Sequence, residues 1–489
     1  MSTVVVLASA GQLRPMRPLR VRSDPFTLGV ASGDPHPDSV MLWTRLAPRP
    51  LEPGGGMVSR PVDVDWQVSD APCMRRIVAS GRVRTRPDHA HAVHVAASGL
   101  HPAGEYWYRF RCESWLSPIG RTRTAPARGQ RVGQLSWATA SCQAWEDGLY
   151  TAHRHLAAEE VDVVFFLGDY IYERTIGPSV RAPVDERGEG LADEATTLER
   201  YRLRYGLYKS DPDLQAAHHA APWMVTCDDH EVEDGYAGMR PGSGPVDGFA
   251  RRRHAAYQAF WEHQPVRGGP PRGPSLRLHR RATYGDLATF HVLDTRQHRS
   301  TTRAGPSTTM LGRDQERWLA AGIDRSTTRW NVVAQQVLAG TLDFSGDDDV
   351  VVNADSWDGY PVAQQRLHDD LARSKNPVVL SGDVHAAYAL DIAAAPGGQS
   401  VAVELATTSI SSGGDGAALL PSGRTLRAAN AHLHHADQRR GYLRCLLTPD
   451  ALTAEFRSVA FVERPGAPVS TERSFVVADG DTRLVPTPS

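Results

Sequence analysis

The sequence predicts an α/β protein in which an all-β sandwich precedes a large domain built on a mixed sheet. Three observations predict it. Between Phe26 and about Arg123, short segments alternate apolar and polar residues with a period of two. Beyond residue 132, apolar strand-like runs alternate with helical stretches. One of those runs, Val161–Leu167 (VDVVFFL), is almost continuously β-branched or aromatic, as a strand covered on both faces requires.

In chain order, residues 1–25 form an N-terminal arm. Within it, Val4–Ala10 (VVVLASA) resembles the end of an export signal, with a small-residue cleavage pattern but no charged segment ahead of it. Val40–Thr44, Val62–Val68, Ala92–Val95 and Tyr106–Phe110 are strands separated by Gly, Pro and Asp clusters, which gives a sandwich over residues 26–125. Pro126–Gly133 is a linker. The larger domain, 132–489, has strands at Leu135–Ala140, Val161–Leu167, Pro222–Cys227, Leu287–Leu293, Trp330–Leu338 and Pro377–Leu380. Helices are expected at Leu149–Ala158, Leu198–Tyr208, Asp213–Ala220, Arg251–His263, Gly312–Ala321 and Gln364–Arg373. Tyr442–Leu447 and Leu452–Phe461 form a hairpin. Two Gly/Asp-rich loops, 174–195 and 341–360, have the length that goes with function or mobility.

Composition narrows the classes. With 489 residues, 41% hydrophobic and 22% charged, the chain is neither disordered, nor a fibre, nor a small disulfide scaffold. A formal charge of −2 supplies no general attraction to nucleic acid or anionic lipid. Among the 54 basic residues only Lys209 and Lys375 are lysine; the arginines are scattered, which fits the codon bias of a GC-rich genome better than an RNA-binding surface. No apolar run reaches the ~20 residues of a membrane span. Five cysteines without a CxxC pair exclude a zinc ribbon and leave at least one thiol unpaired; the sequence does not decide whether Cys73 and Cys112 are bridged. No GxSxG elbow or Walker loop is present.

Chemistry collects where strands end, which is where open α/β sheets bind ligands. Ser141-Cys142-Gln143, Gly168-Asp169-Tyr170-Ile171-Tyr172-Glu173, Asp228-Asp229-His230-Glu231 and Gly382-Asp383-Val384-His385 each follow an apolar strand. Taken singly, each has a structural explanation: a glycine turn, a buried thiol, a helix cap. Together they bring carboxylate, imidazole and thiolate to one edge, the donor set of a metal cluster. Asp169, directly after a glycine, is the candidate bridge between cations. His218-His219 and His434-His435 read as surface residues, Asp347-Asp348-Asp349 as a solvated loop, and Ser409–Gly414 as a flexible turn.

These motifs resemble those of the calcineurin-like metallophosphoesterases and, within them, the PhoD-like alkaline phosphatase/phosphodiesterase family. The likeness spans almost the whole chain: the opening Phe26–Arg45, then SCQ at 141–143, GDYIYE at 168–173, DDHEVE at 228–233, LDTRQ at 293–297, AQQ at 334–336 and GDVH at 382–385, in the family's order. The resemblance implies a four-layer αββα metallophosphoesterase sandwich behind the N-terminal β-sandwich. It implies a cluster of iron(III) and calcium, other divalent metals being alternatives. Cys142 and Tyr172 would bind iron, Asp169 would bridge, and Asp229, Asp234, Asp383 and His385 would add ligands. His230, with Asp229, is the catalytic candidate, as general acid. Two departures stand out: Asp234 replaces the first of an Asn pair common in the family, and Cys227 a common Trp.

The implied reaction is hydrolysis of phosphate mono- or diesters by a metal-bound hydroxide, in an extracellular, periplasmic or cell-envelope enzyme without a stable nucleic-acid partner. The sequence does not set the oligomeric state. Two other classes share its features: a surface binding protein with a degenerate metal site, favoured by Asp234 alone, and a metallo-amidase or carboxyl esterase.

Overall fold

The alternation inside Val161–Leu167 explains its unbroken apolarity. Val163, Phe165 and Leu167 face one core while Val164 and Phe166 face another. A computed structural model of the chain describes residues 21–181, 190–303, 305–345, 350–394, 397–417 and 421–487, with the side chains of 421–424 excepted. Most of the N-terminal arm, including Val4–Ala10, and Asp347–Asp349 lie outside the described residues.

Two sheets stack face to face. The first has ten strands, in the order Val485–Pro486, Val469–Ala478, Ala451–Val459, Gly441–Leu447, Leu135–Ala140, Val163–Phe166, Trp223–Val225, Val30–His36, Ser39–Arg45 and Ala92–Ser98. The second has seven: Arg280–Tyr284, Ala288–Val292, Trp330–Ala334, Pro377–Ser381, Ser400–Ala406, Ala387–Ala393 and Leu433–Asp437. Both are mixed. Leu135–Ala140, Val163–Phe166 and Trp223–Val225 are mutually parallel, as are Ala288–Val292, Trp330–Ala334, Pro377–Ser381 and Ser400–Ala406. Phe290 of the second sheet packs on two rings of the first, stacked 4.5 Å from Phe165 and edge-on 5.2 Å from Trp137.

Helices cover the outer faces. Thr151–Leu156, Leu198–Lys209, Pro212–Ala220 and Phe249–His263 lie over the first sheet, and Arg313–Asp324 and Pro361–Ala372 over the second. The architecture is therefore four layers, αββα. Local signals set the ends. Thr197 accepts a hydrogen bond from the Arg200 amide at the start of Leu198–Lys209, and Asp211 accepts from the Asp213 and Leu214 amides ahead of Pro212 in the first helical position.

The sandwich predicted near the N-terminus shares one of its layers with the ten-stranded sheet. Val30–His36 runs parallel to Trp223–Val225 with Gly33 opposite Trp223. The second layer is a separate sheet of Val62–Ser69, Ile77–Thr85, Glu105–Cys112, Trp115–Leu116 and Gly120–Arg123. Val30, Val40 and Leu42 pack against Val64, Tyr108 and Phe110 between the layers. Among the described residues all five cysteines are unbridged, and no helix is long and apolar enough to cross a membrane.

Several elements escaped the sequence pattern: strands Arg280–Tyr284, Ala387–Ala393, Ser400–Ala406, Leu433–Asp437 and Val469–Ala478, and the helix Pro421–Ala429. Ala387–Ala393 (AYALDIA) and Ser400–Ala406 (SVAVELA) are alanine-rich, and alanine is depleted from strands; here position between neighbours decides the conformation.

Candidate metal centre

The parallel strands of both sheets end at one place, and buried polar side chains tie those ends together. Gln336, from the AQQ segment, donates to Thr226 Oγ1 of the first sheet at 2.9 Å and to Leu293 O of the second at 3.0 Å. Thr407 Oγ1 donates to Thr139 O at 3.0 Å. Two glycines permit the approach. A Cβ on Gly168, whose φ is +109°, would lie 2.4 Å from Asp228 Cβ, and one on Gly382 would lie 2.7 Å from Ser141 Oγ.

Each strand then turns sharply. Cys142, Asp169, Asp383 and His385 all take left-handed backbone, with φ of 56°, 55°, 65° and 51°. A non-glycine residue pays roughly 1–3 kcal/mol for such a conformation, and strain of this kind concentrates at functional sites. The turns gather three overlapping groups, in each of which one ligand atom per residue lies within 4.8 Å of the others: Cys142, Asp169 and His385; Asp169, Asp228, Asp229 and Asp383; Asp169, Asp229 and His230. Asp169 belongs to all three. Tyr172 joins the first group, donating from its hydroxyl to Asp169 Oδ2 at 3.0 Å and lying 3.1 Å from His385 Nε2.

The electrostatics fit cations. Asp169 Oδ1 and Asp228 Oδ2 are buried and have no hydrogen-bond partner among the described residues. Burial, then Asp229 and Asp228, push Asp169 up to about 7; burial, then Asp229 and Asp169, do the same to Asp383. Burial and the carboxylates of Asp169 and Asp383 also drive the Cys142 thiol well above its ordinary range. Crowded carboxylates beside a thiol are an arrangement that a multivalent cation relieves, ionising the thiol as it binds. His385 is held down to about 4 by burial, Arg440 and His230, so its imidazole is neutral and its lone pair free to ligate.

Further residues hold the site in shape. Glu231 is buried and accepts from the backbone amides of Asp169, Tyr170 and Asp228 at 3.1, 2.6 and 2.7 Å, joining two strand-end loops. The fully buried Arg296 donates to Asp228 and, at 2.5 Å, to Asp355, and lies 3.5 Å from Asp229 and 3.9 Å from Asp383. Burial opposes ionisation of Asp229, but Arg296 and His230 outweigh it and hold Asp229 at about 2. Glu173 Oε2 lies 2.8 Å from His230 Nδ1. Burial disfavours the charged imidazole, yet Asp169 and Glu173 hold His230 well above its ordinary range. Ser412 Oγ donates to the Tyr172 hydroxyl at 2.8 Å, and Arg440 donates to His385 O at 2.8 Å.

Of the predicted site residues, Cys142, Asp169, Tyr172, Asp229, His230, Asp383 and His385 are brought together. Asp234 is not. Its side chain is 79% exposed on the rim, 4.0 Å from His230 Nε2, because it is the Asp234 amide that is directed inward, donating to Glu173 Oε1 at 2.8 Å. His218, read as a surface residue, is buried and lies 2.7 Å from the Tyr170 hydroxyl. Ser409, Ser411 and Ser412, read as part of a flexible turn, are buried against Cys142, whose carbonyl accepts from the amides of Ile410, Ser411 and Ser412. Asp228, Glu173, Glu231 and Arg296 were missed as individuals although each lies inside a quoted motif; their density of charge after apolar strands was the available signal.

Comparison with known proteins identifies relatives along most of the chain. The family model for the PhoD-like phosphatase matches residues 135–456, and that for the PhoD-like phosphatase N-terminal domain matches residues 12–126. The chain is 45% identical over 482 residues to alkaline phosphatase D of Bacillus subtilis (strain 168), covering 94% of this chain and 82% of that protein. A solved structure of PhoD superimposes with a TM-score of 0.92 at 43% identity, covering 96% of this chain and 94% of that one.

Proposed function

Because the chain belongs to the PhoD-like phosphatase family, a family of metal-dependent phosphoric ester hydrolases, we propose that Cys142, Asp169, Tyr172 and His385 hold iron(III) and that Asp169, Asp228, Asp229 and Asp383 hold calcium. The observation that carries this reading is Asp169: one carboxylate common to all three donor groups, with a buried oxygen that no donor among the described residues satisfies. Thiolate and phenolate suit a ferric ion, and an all-carboxylate set suits a hard divalent one. When bound, such cations supply charge to the phosphoryl oxygens and acidify a water.

The chain's own groups do the rest. Glu173 engages His230 Nδ1 and so leaves Nε2 to protonate the departing alkoxide. Arg296 offsets part of the negative charge, bonding Asp228 and lying 3.5 Å from Asp229, and so holds both where they would ligate. Water attacks phosphorus in line, so configuration at phosphorus inverts; net retention with a chiral phosphorothioate overturns the single-displacement scheme. The location of Asp234 on the rim removes the one feature that favoured a degenerate binding protein.

Elemental analysis of natively expressed protein, paired with assays on p-nitrophenyl phosphate and bis-p-nitrophenyl phosphate, tests the reading. Iron and calcium are expected, with activity lost on chelation and restored by metal. A metal-free protein that stays inactive after reloading overturns it. Tyr172→Phe is expected to abolish the phenolate-to-iron charge-transfer band; an unchanged spectrum removes Tyr172 from the ligand set.

A further inference from the structure

Asp234 stands on the rim of the site beside His230. Glu173 fixes two things at once. Its Oε2 lies 2.8 Å from His230 Nδ1, which turns Nε2 toward the reaction, and its Oε1 accepts from the Asp234 amide at 2.8 Å. One buried carboxylate thus sets the histidine and the aspartate relative to each other, with Asp234 Oδ1 at 4.0 Å from Nε2. The Asp234 side chain is 79% exposed, and among the described residues its carboxylate accepts no hydrogen bond and has no basic partner except that imidazole. The basic groups nearby are already engaged: Arg174, 4.9 Å from the centre of the Tyr172 ring, by Glu146 at 3.1 Å and Asp147 at 3.5 Å, and Arg296 by Asp228 and, at 2.5 Å, by Asp355. The exit beside His230 is therefore acidic.

We propose that Asp234 makes this enzyme selective for the charge of the leaving alcohol, favouring phosphoesters of cationic amino alcohols and disfavouring those whose leaving group carries a further anion. The proposal rests on the reading of His230 as the general acid. In the step concerned, the bond from water oxygen to phosphorus forms as that water gives up a proton to solvent, the bond from phosphorus to the ester oxygen breaks with its electron pair going to that oxygen, and the Nε2 proton moves onto it; a proton from solvent then restores His230. That oxygen lies ~2.8 Å from Nε2 when it takes the proton. Two carbons place an ammonium nitrogen roughly 3–4 Å further on, within ion-pair reach of the Asp234 carboxylate. An anionic substituent at the same place meets like charge. At such a separation in a water-exposed rim the attraction amounts to about fivefold in rate.

The test compares kcat/KM of the metal-loaded enzyme for phosphocholine and for its uncharged isostere, 3,3-dimethylbutyl phosphate. The quaternary ammonium does not titrate, and the two leaving groups match in shape. The wild type is expected to prefer phosphocholine about fivefold, less in high salt. In Asp234→Asn the ratio is expected to fall to near one, and in Asp234→Lys to invert. A wild-type ratio at or below one, a ratio unchanged in Asp234→Asn, or hydrolysis of p-nitrophenyl phosphate without that of phosphocholine overturns the proposal alone. Failure to hydrolyse any of the three esters overturns the phosphoesterase reading and this proposal with it.

Discussion

Two clusters of aspartate and arginine lie in contrasting parts of the molecule. On the outer face of the N-terminal sheet, Asp63 pairs with Arg84 at 2.7 Å, and Asp65 with Arg82 at 2.6 Å and Arg111 at 2.8 Å. At the strand ends, Asp228, Asp229 and Asp383 lie around the buried Arg296, and Asp355 is shared between Arg296 at 2.5 Å and Arg299 at 2.8 Å. The outer cluster is wet and has more arginines than aspartates. The inner one is dry and has an excess of carboxylates. Water screens the first, so its pairs contribute little to folding. The second carries a desolvation penalty that Arg296 and Arg299 do not offset. An excess of buried negative charge is tolerable only where positive charge arrives from outside, and so the imbalance, rather than the presence of ion pairs, marks the functional cluster.

This contrast can be broken at either end. The largest effect is expected from Arg296→Met, which takes the guanidinium from Asp228, Asp229 and Asp383 while Asp355 keeps Arg299. Hydrolysis of p-nitrophenyl phosphate should fall by about 10²–10³-fold, and stability by about 3–5 kcal/mol, read from thermal melts of the metal-loaded protein. Melts and rates like those of the wild type would mean that the bound cations already balance the cluster. A smaller effect follows from Glu231→Gln, in which an amide N–H faces the backbone donors that the carboxylate now joins. A loss of about 1–3 kcal/mol is expected, together with weaker calcium binding by titration calorimetry; wild-type affinity would show that the strand-end loops hold their shape without it. The smallest effect is at the outer cluster. Asp63→Asn should leave melting temperature and kcat/KM within experimental error, and a measurable loss of either would show that this face is more than a solvated ladder.

Much of this was legible from sequence, for physical reasons. Continuous apolar runs marked the inner parallel strands because both of their faces are covered, and the polar residues just beyond them marked the site because parallel strands end together. Asp169, Cys142, Asp383 and His385 could be found in that way. Glu231 and Arg296 could not be assigned a role, since a buried carboxylate that serves backbone amides looks the same in sequence as one that serves a cation. Ser412 reaches Tyr172 across 240 residues of chain, a contact with no local signal. Ala387–Ala393 and Ser400–Ala406 were invisible because alanine favours no sheet, and only their places beside Pro377–Ser381 and Leu433–Asp437 make them strands. His218 sits on the inward side of a short helix whose polar residues mask the periodicity.

The shared layer between Val30–His36 and Trp223–Val225 bears on how the protein can be taken apart. The chain looks modular on paper, yet a graft of the hydrolytic half onto another carrier would strip Trp223–Val225 of its neighbour and leave a raw β edge three residues from Asp228. Whoever wishes to shorten this enzyme must start from the outer sheet and stop before the strand that carries Gly33.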